Sequence, residues 1–137
     1  MKIITKSEKE TIGIAKEFAD QLKGGEVLGL IGDLGAGKTC FTKGLALGLG
    51  IKKNITSPTF VLMKAYPTKH KTIKNFIHID AYRLHSYDDL LAIGIEDYIG
   101  KEDSVVIIEW ADRVKTKKIK IERIEFFINN NIREIIV

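Results

Sequence analysis

The sequence has little of what secreted and membrane proteins usually contain. Cys40 is the sole cysteine, so no disulfide within the chain can stabilise the fold. No hydrophobic run approaches the ~20 residues of a transmembrane helix, and residues 1–4 lead into alternating polar residues rather than a signal-peptide core. Only two prolines are present, and both lie between predicted elements. We therefore expect a cytoplasmic protein with no membrane association.

The excess of one charge sign over the other is also small. The 22 basic and 18 acidic residues leave a net charge of +4, which permits an RNA or acidic protein partner without requiring one. We expect no DNA partner. The hydrophobic share of 45% and the charged share of 29% are those of an ordinary globular protein. Since a chain of 137 residues buries roughly two-thirds of its unfolded surface, we expect one domain over residues 1–137.

The first half of the chain alternates between helical and strand patterns. Ser7 and Glu10 have the S-x-x-E spacing of a capping box, and the apolar residues after them predict a helix of about four turns ending before Gly24. Residues 26–31 form a nearly uninterrupted apolar run, which is typical of a strand covered on both faces in a parallel sheet. A glycine-rich turn follows, and residues 38–49 again show helical spacing.

The second half contains mainly strand patterns. Strands are predicted at residues 60–66, 72–79, 104–108, 119–128 and 132–137. Three consecutive asparagines separate the last two, and because Asn tolerates a positive φ, these strands are predicted to form an antiparallel hairpin. Residues 87–99 show helical spacing that Gly94 interrupts. The mixture predicts an α/β sheet with parallel central strands and antiparallel edge strands.

One segment carries a specific chemical signature. Residues 32–39 read Gly-Asp-Leu-Gly-Ala-Gly-Lys-Thr and match the phosphate-binding pattern G-x-x-x-x-G-K-[ST] at every defined position. The segment lies between a buried strand and a helix, where free N–H groups and the helix dipole favour a polyphosphate. In this P-loop, Lys38 would reach the β and γ oxygens and Thr39 would ligate Mg²⁺. The predicted nucleotide contacts in the loop are Asp33, Leu34, Gly35, Ala36, Gly37, Lys38 and Thr39.

Two predicted strands end in an acidic residue. Asp80 follows residues 76–79 and Glu109 follows residues 105–108, and the carboxyl ends of parallel strands face the ligand crevice. One carboxylate would hold Mg²⁺ while the other orients the attacking water, and the spacing leaves open which does which. The alternative is that either acid only caps its strand or forms a salt bridge. Together with the P-loop, the acids predict a P-loop NTPase-type three-layer sandwich.

Other residues have less specific patterns. Residues 56–60 would bring a hydroxyl or N–H group to the γ-phosphate. Alternatively, Pro58 would only hold the chain extended at the start of the next strand. Arg83 and Arg113 would offset transition-state charge or, more simply, form surface ion pairs. His78 is predicted to be a structural histidine opposite the apolar face of its strand. Four lysines form a basic cluster that suits RNA, an acidic protein surface or solvent: Lys115, Lys117, Lys118 and Lys120.

Nucleotide binding by itself leaves several functions open. A small-molecule kinase usually clamps the transferred phosphoryl group with several basic side chains under a lid, and this chain has only four arginines. A GTPase normally carries an N-K-x-D guanine motif and a D-x-x-G switch, neither of which occurs at a suitable place. We therefore favour an ATPase that delivers the energy of hydrolysis to a partner. The alternatives are a metabolite kinase and a nucleotide-gated binding module without significant hydrolysis.

Several motifs, in order along the chain, resemble those of one family. They are the P-loop at 32–39, Ser-Pro-Thr-Phe at 57–60, His-Ile-Asp-Ala-Tyr-Arg-Leu at 78–84, Gly-Ile with Asp-Tyr at 94–98, and Ile-Glu-Trp at 108–110. In combination they are similar to the TsaE (YjeE) family, the bacterial ATPases of tRNA N6-threonylcarbamoyladenosine (t6A) biosynthesis. The resemblance runs from the first helix to about residue 113.

The resemblance implies a Mg²⁺-dependent ATPase that acts with the TsaB and TsaD proteins, while TsaD itself modifies adenosine 37 and tRNA is contacted only indirectly. It implies ATP and Mg²⁺ as cofactors. Glu109 matches the family's Mg²⁺-associated glutamate, Asp80 its required aspartate, and Thr59 its switch-like threonine, which adds Thr59 to the nucleotide contacts. Trp110 matches the tryptophan of the same Glu-Trp pair. The expected catalytic residues are Lys38, Asp80 and Glu109, and the expected metal ligands are Thr39, Asp80 and Glu109.

Overall fold

The computed structural model describes residues 1–58 and 60–137. Within them, seven strands form one sheet, and three α-helices pack on its faces. The strands are β1 (Lys2–Thr5), β2 (Val27–Gly32), β3 (Met63–Pro67), β4 (Asn75–Asp80), β5 (Ser104–Glu109), β6 (Glu122–Asn129) and β7 (Ile132–Ile136). The helices are α1 (Glu8–Phe18), α2 (Lys38–Gly48) and α3 (Tyr87–Ala92), with 3₁₀ turns at Ala19–Gln21, Ile95–Asp97 and Ala111–Val114. No helix of the described part is long and apolar enough to cross a membrane.

The strand order across the sheet is β1-β7-β6-β2-β5-β4-β3. The four central strands, β6, β2, β5 and β4, run parallel to one another. The edge strands β1 and β3, and β7 next to β1, pair with their neighbours in the antiparallel sense. The prediction of a parallel centre with antiparallel edges is therefore confirmed.

Burial of both sheet faces explains the nearly continuous apolar runs of the central strands. In β5, Val105 and Ile107 pack in the core formed with α1 and α2, whereas Val106 and Ile108 pack in the core formed with α3. Successive side chains of a strand point to opposite faces, so a strand covered on both sides needs apolar residues at every position. Helices thus cover both faces of the sheet, and the predicted three-layer sandwich is confirmed.

Helix α1 begins where the capping pattern predicts. The Ser7 hydroxyl accepts a hydrogen bond from the backbone N–H of Glu10 at 3.1 Å. The Glu10 carboxylate in turn accepts from the N–H of Lys6, one residue earlier than in a regular capping box. The cap therefore satisfies two backbone donors that have no partner within the helix.

Two edge strands differ from the sequence prediction. β3 starts at Met63 rather than at residue 60, because Leu62 has a left-handed backbone with φ of 66° that interrupts an extended conformation. β1 is absent from the prediction, since four residues are too few for a periodic signal. It forms only because β7 supplies a partner strand, with Ile3 opposite Ile135.

The predicted C-terminal hairpin is confirmed, and long-range pairing decides its place in the sheet. β6 and β7 pair around Asn130, whose φ of 58° is the positive value that the turn needs. β6 also pairs in parallel with β2, with Ile124 opposite Leu30. Because β2 leads into the P-loop, this pairing brings the turn after β6 and the start of β7 to the same side of the molecule as the loop.

Helices α1 and α2 approach each other closely at a glycine. A Cβ atom at Gly44 would lie 2.3 Å from the carbonyl oxygen of Ile12 and 2.5 Å from Cβ of Ala15. Because these atoms can move only with the helices, we expect Gly44→Ala to lower the free energy of unfolding by about 1–3 kcal/mol. Urea unfolding followed by circular dichroism measures the change.

Gly13→Ala is the matched control, since Gly13 lies in α1 and an added Cβ would meet no atom within 4 Å. Replacing a glycine within a helix by alanine is expected to raise the free energy of unfolding by up to about 1 kcal/mol. The same change in stability for both variants would contradict the proposed packing of the two helices.

Candidate nucleotide-binding site

The loop between β2 and α2 has a backbone that glycine adopts most easily. Gly35 and Gly37 have φ values of 80° and 113°, in the region that residues with a Cβ atom avoid. α2 begins at Lys38, with Gly37 as its N-cap and no side chain bonded to the first turn. The N–H groups at the start of α2 therefore face the loop without a side-chain acceptor, and the helix dipole favours an anion there.

The Lys38 side chain is buried between the loop and a tryptophan ring. Its Nζ donates hydrogen bonds to the backbone carbonyls of Gly32 and Asp33, the latter at 2.9 Å. It also lies 4.0 Å from the centroid of the Trp110 ring. Burial lowers the pKa of Lys38 below its ordinary value of 10.5, while the nearby Glu109 and Asp33 carboxylates act in the opposite direction. The ammonium is thus held at the loop by acceptors that a phosphate oxygen can replace.

Trp110 reaches Lys38 through an uncommon backbone conformation. Its φ of 61° and ψ of 40° are left-handed, which costs about 1–2 kcal/mol in a residue other than glycine. The ring of Tyr82 packs edge-on against the indole, with 4.9 Å between the centroids. Strained residues that neighbouring groups hold in place are frequent at functional sites.

Glu109 is a buried acid at the end of β5, and both of its carboxylate oxygens have a partner. Oε1 accepts a hydrogen bond from the Thr39 hydroxyl at 3.0 Å. Oε2 contacts Nε2 of His78. With an ionised carboxylate, which can only accept, Nε2 is the donor of this contact. These contacts join α2, β4 and β5 and fix the orientation of the carboxylate beside the loop.

Asp80 lies directly beside Glu109 in the sheet. The two residues are register partners of the parallel strands β4 and β5, and only 8% of Asp80 and 3% of Glu109 is exposed. One Asp80 oxygen accepts from the Ser57 hydroxyl at 3.0 Å, and the other accepts from the Tyr82 N–H at 3.0 Å. The two acids at the ends of separate predicted strands therefore meet at one place.

His78 does not lie opposite the apolar face of its strand, because both faces of β4 are buried. Alternate residues share a face, so His78 and Asp80 point to the same side as Ile107 and Glu109, beneath α2. His78 is fully buried, and its Nδ1 has no hydrogen-bond partner among the described residues. The predicted placement opposite a single apolar face is therefore wrong, and the buried ring contacts Glu109.

A cavity of about 600 Å³ opens beside the loop and the two acids. The residues predicted for nucleotide or metal binding that line it are Leu34, Gly35, Gly37, Lys38, Thr39, Asp80 and Glu109. Asp33 and Ala36 do not contribute to its wall, and Thr59 lies outside the described residues. The volume falls within the roughly 300–1,000 Å³ of typical small-molecule sites.

Several residues of the cavity wall had no role in the sequence prediction. Arg133 reaches the wall from β7, and a Cβ atom at Gly37 would lie 3.4 Å from its Cδ. No local motif marks Arg133, and only the pairing of β6 with β2 could have indicated its position. Ser57, which belongs to the segment 56–60 that is expected to bring a hydroxyl or N–H group to the γ-phosphate, lines the cavity too. Glu8 also lines it. So does Cys40, where burial raises the pKa of the thiol and disfavours a reactive thiolate.

Arg83 and Arg113 do not form the surface ion pairs that were the simpler expectation. In the described ranges, neither arginine takes part in a salt bridge. The guanidinium of Arg113 lies 4.6 Å from the ring centroid of Tyr82, and that of Arg83 lies 5.8 Å from the ring of Phe60. Both arginines also lie outside the cavity wall, so direct contact with a bound phosphate is not supported.

The donor set fits Mg²⁺ that is bound together with a nucleotide. Within residues 1–58 and 60–137, no three His, Cys, Asp or Glu side chains are grouped as a metal site. Mg²⁺ prefers oxygen ligands and is usually held by one or two carboxylates plus substrate phosphates. The Thr39 hydroxyl and a Glu109 oxygen lie 3.0 Å apart, with Asp80 alongside. Phosphate oxygens at the loop would supply further ligands.

The contact of His78 with Glu109 makes His78 a positioning residue for this carboxylate. His78→Leu removes the donor and leaves Oε2 buried without a partner, so the ATP hydrolysis that the sequence predicts is expected to fall by about 10–100-fold. The Mg²⁺ concentration for half-maximal activity is expected to rise in parallel. Steady-state phosphate release at varied Mg²⁺ measures both quantities.

His78→Gln is the matched control, because the glutamine side chain places an N–H donor at a similar reach. We expect it to retain most of the activity and the Mg²⁺ affinity. Equal losses in the leucine and glutamine variants would show that the ring only fills space, which contradicts the positioning role.

The glycine loop between β2 and α2, with two acids on the neighbouring parallel strands, defines an α/β protein of the P-loop NTPase type. The family model "Threonylcarbamoyl adenosine biosynthesis protein TsaE" matches residues 5–135. The chain belongs to the TsaE family. The match includes the C-terminal strands, whereas the motifs resembling this family end near residue 113.

Individual relatives support the same conclusion. The tRNA threonylcarbamoyladenosine biosynthesis protein TsaE of Treponema pallidum is 41% identical over 117 residues, which cover 85% of this chain and 83% of the relative. The TsaE protein of Bacillus subtilis is 40% identical over 124 residues, which cover 90% of this chain and 74% of the relative. A crystal structure of Bacillus subtilis YdiB has a TM-score of 0.72 and 33% identity, covering 98% of this chain and 82% of that one.

Proposed function

We propose that this protein is a Mg²⁺-dependent ATPase that supports t6A formation at adenosine 37 of tRNA by acting with the TsaB and TsaD proteins in the cytoplasm. The observation that carries the proposal is the contact between Thr39 and Glu109 at the start of α2, with Asp80 paired beside Glu109. A hydroxyl and two acids around one P-loop are the parts that ATP hydrolysis requires. Membership of the TsaE family supports the role in tRNA modification.

The loop and Lys38 would bind the phosphates of ATP. The N–H groups at the start of α2 have no acceptor within the helix, and with the Lys38 ammonium they supply donors and positive charge. The carbonyls of Gly32 and Asp33 that now hold Lys38 are weaker acceptors than an anionic phosphate oxygen. The ammonium would therefore transfer to the nucleotide on binding.

The two acids would have different roles in hydrolysis. Bound Mg²⁺ would neutralise charge on the β- and γ-phosphates. Glu109 would face this ion, because Thr39 and His78 already hold its two oxygens in place. Asp80, which accepts hydrogen bonds from the Ser57 hydroxyl and the Tyr82 N–H, would orient the attacking water.

Phosphate release from ATP tests the proposal, with the protein alone or together with TsaB and TsaD, and with Mg²⁺ present or removed by EDTA. We expect release that requires Mg²⁺ and that changes when both partner proteins are added. Transfer of the phosphoryl group to a small-molecule acceptor would instead indicate a kinase. No release under any of these conditions would indicate a nucleotide-gated binding module and contradict the ATPase.

Co-purification tests the partner assignment separately from catalysis. Tagged TsaD with bound TsaB is expected to retain this protein in a manner that depends on ATP. Failure to retain it both with and without ATP would contradict the partnership and leave the ATPase measurement unaffected.

Asp80→Asn separates the roles of the two acids. If Asp80 orients water, the variant is expected to lose about 10²–10³-fold in kcat, a loss typical of removing a positioned catalytic group. Its requirement for Mg²⁺ and its affinity for ATP are expected to stay within a few-fold of the wild type. Kinetics at varied Mg²⁺ decide the assignment, since a shifted Mg²⁺ requirement would make Asp80 the main metal ligand.

A further inference from the structure

The excess positive charge of the protein is concentrated in one segment. Residues 112–123 contain six basic and two acidic residues, a net charge of +4. The whole chain has 22 basic and 18 acidic residues, so the remainder holds 16 of each sign. Less than a tenth of the chain therefore carries its entire net charge.

Among the described residues, the basic side chains of this segment form no ion pairs. They are Arg113, Lys115, Lys117, Lys118, Lys120 and Arg123. All six are exposed, and the salt bridges of the described part of the chain involve other residues. Their charge is thus available to a partner and is not neutralised within the fold.

Part of the segment surrounds a concave surface. Lys115, Lys117 and Arg123 line a cavity of about 490 Å³, which we name the basic groove. Its apolar wall consists of Ile31, Ala111 and Ile121. These three side chains are buried or half-buried, whereas the three cations are exposed. Cations around an apolar surface suit a ligand that has an anionic backbone and a flat, less polar part.

The basic groove lies next to the nucleotide cavity without sharing a residue with it. Trp110 lines the nucleotide cavity, and the next residues along the chain, Ala111 and Asp112, line the groove. Arg113 continues the cationic surface toward the nucleotide cavity, with its guanidinium 4.6 Å from the ring centroid of the half-exposed Tyr82. A ligand in the groove would therefore lie beside a bound nucleotide.

We propose that the basic groove binds RNA, with Lys115, Lys117 and Arg123 contacting phosphates and the apolar wall receiving an unpaired base. Single-stranded parts of RNA present unstacked bases next to a phosphate backbone. The cations of the groove outnumber its one acid, Asp112, and match that backbone, while its aliphatic wall offers a base an apolar contact surface. An acidic protein surface would match the charge but would not need a concave apolar wall. The proposal goes beyond the ATPase function and does not depend on it, and it departs from the expectation that tRNA is contacted only indirectly.

Binding of a fluorescent, unmodified tRNA transcript tests the proposal, measured by anisotropy over a series of KCl concentrations. We expect K115E/K117E/R123E to bind at least about ten-fold more weakly than the wild type at low salt. The plot of log K against log [KCl] is expected to become shallower by roughly two to three units, because each lost phosphate contact removes about one.

The variant K52E/K53E/K71E is the matched control, since these lysines are exposed outside the groove and their reversal changes the net charge equally. We expect its RNA affinity to stay within about three-fold of the wild type, as distant charges are screened by salt. K115Q/K117Q/R123Q is expected to lose less affinity than the glutamate variant. Thermal unfolding and ATP hydrolysis of the groove variants are expected to match the wild type.

The outcomes separate the RNA site from the ATPase site and from a protein interface. Lys38→Ala is expected to bind RNA as the wild type does, so the groove proposal does not fail with the ATPase proposal. Equal losses in the groove and control variants, or no RNA binding by the wild type at low salt, would overturn the proposal. Loss of binding to TsaB and TsaD with unchanged RNA affinity would make the groove a protein-binding surface and would also overturn it.

Discussion

Replacement of Lys38 by alanine is expected to weaken ATP binding by at least about 100-fold, because a hydrogen bond to a charged partner contributes roughly 1.5–3 kcal/mol and an ammonium can make more than one. Lys38 is 5% exposed, so its interaction with phosphate would form where water screens little of the charge. Arg133, the other basic side chain of the cavity wall, reaches the cavity from β7 and does not replace a cation of the loop. Isothermal titration with ATP and Mg²⁺ measures the loss.

Lys43→Ala is the control for this variant, since Lys43 lies on the same helix but outside the cavity wall. We expect its ATP affinity to stay within about two-fold of the wild type, because a distant, hydrated charge is largely screened. Thermal unfolding without nucleotide checks that both variants fold. ATP affinity that is unchanged in Lys38→Ala would contradict the assignment of the loop to phosphate binding.

Replacement of Glu109 by glutamine is expected to lower kcat for ATP hydrolysis by about 10²–10³-fold, an effect comparable to losing one preorganised stabilising group in the transition state. Glutamine has nearly the same volume, so the packing with Thr39 and His78 is largely kept while the negative charge is lost. A neutral amide holds Mg²⁺ more weakly than a carboxylate, so the Mg²⁺ requirement is expected to rise. ATP affinity without Mg²⁺ is expected to change only a few-fold.

Glu102→Gln is the control for Glu109→Gln, because it also removes one negative charge near β5. Glu102 is exposed and precedes β5, whereas Glu109 is buried at the opposite end. We expect wild-type kcat and Mg²⁺ dependence for this variant, measured by phosphate release. Full turnover in Glu109→Gln at low Mg²⁺ would refute the metal assignment.

Most of the fold could be predicted because local patterns and burial agree. Neighbouring residues alone are enough to predict several elements. Apolar runs predict β2 and β5, the cap at Ser7 predicts the start of α1, and Gly94 predicts the break after α3. β1 could not be predicted, because four residues form a strand there only through pairing with β7. The start of β3 was also misplaced, since the left-handed conformation of Leu62 has no signature in its residue type.

The candidate site was predictable to a similar degree, and for similar reasons. The P-loop is contiguous in sequence, and Asp80 and Glu109 each end a recognisable strand, so all three were available to local reasoning. His78 was misjudged, because the assignment of one apolar face to β4 overlooked that its second face is also covered. The place of Thr59 stays a prediction, since it lies outside the described residues.

The amino-acid sequence by itself determined the loop, the strands around it, the helix that follows it and the family to which the chain belongs. These depend on glycine positions, apolar periodicity and contiguous motifs, all of which act over a few residues. Only the tertiary structure decided that Glu109 contacts both Thr39 and His78, which are 70 and 31 residues away along the chain. It also decided that Arg133 reaches the loop and that a basic groove lies beside the site. Such contacts follow from strand order and register. The packing of the whole sheet sets both, and no short sequence motif predicts them.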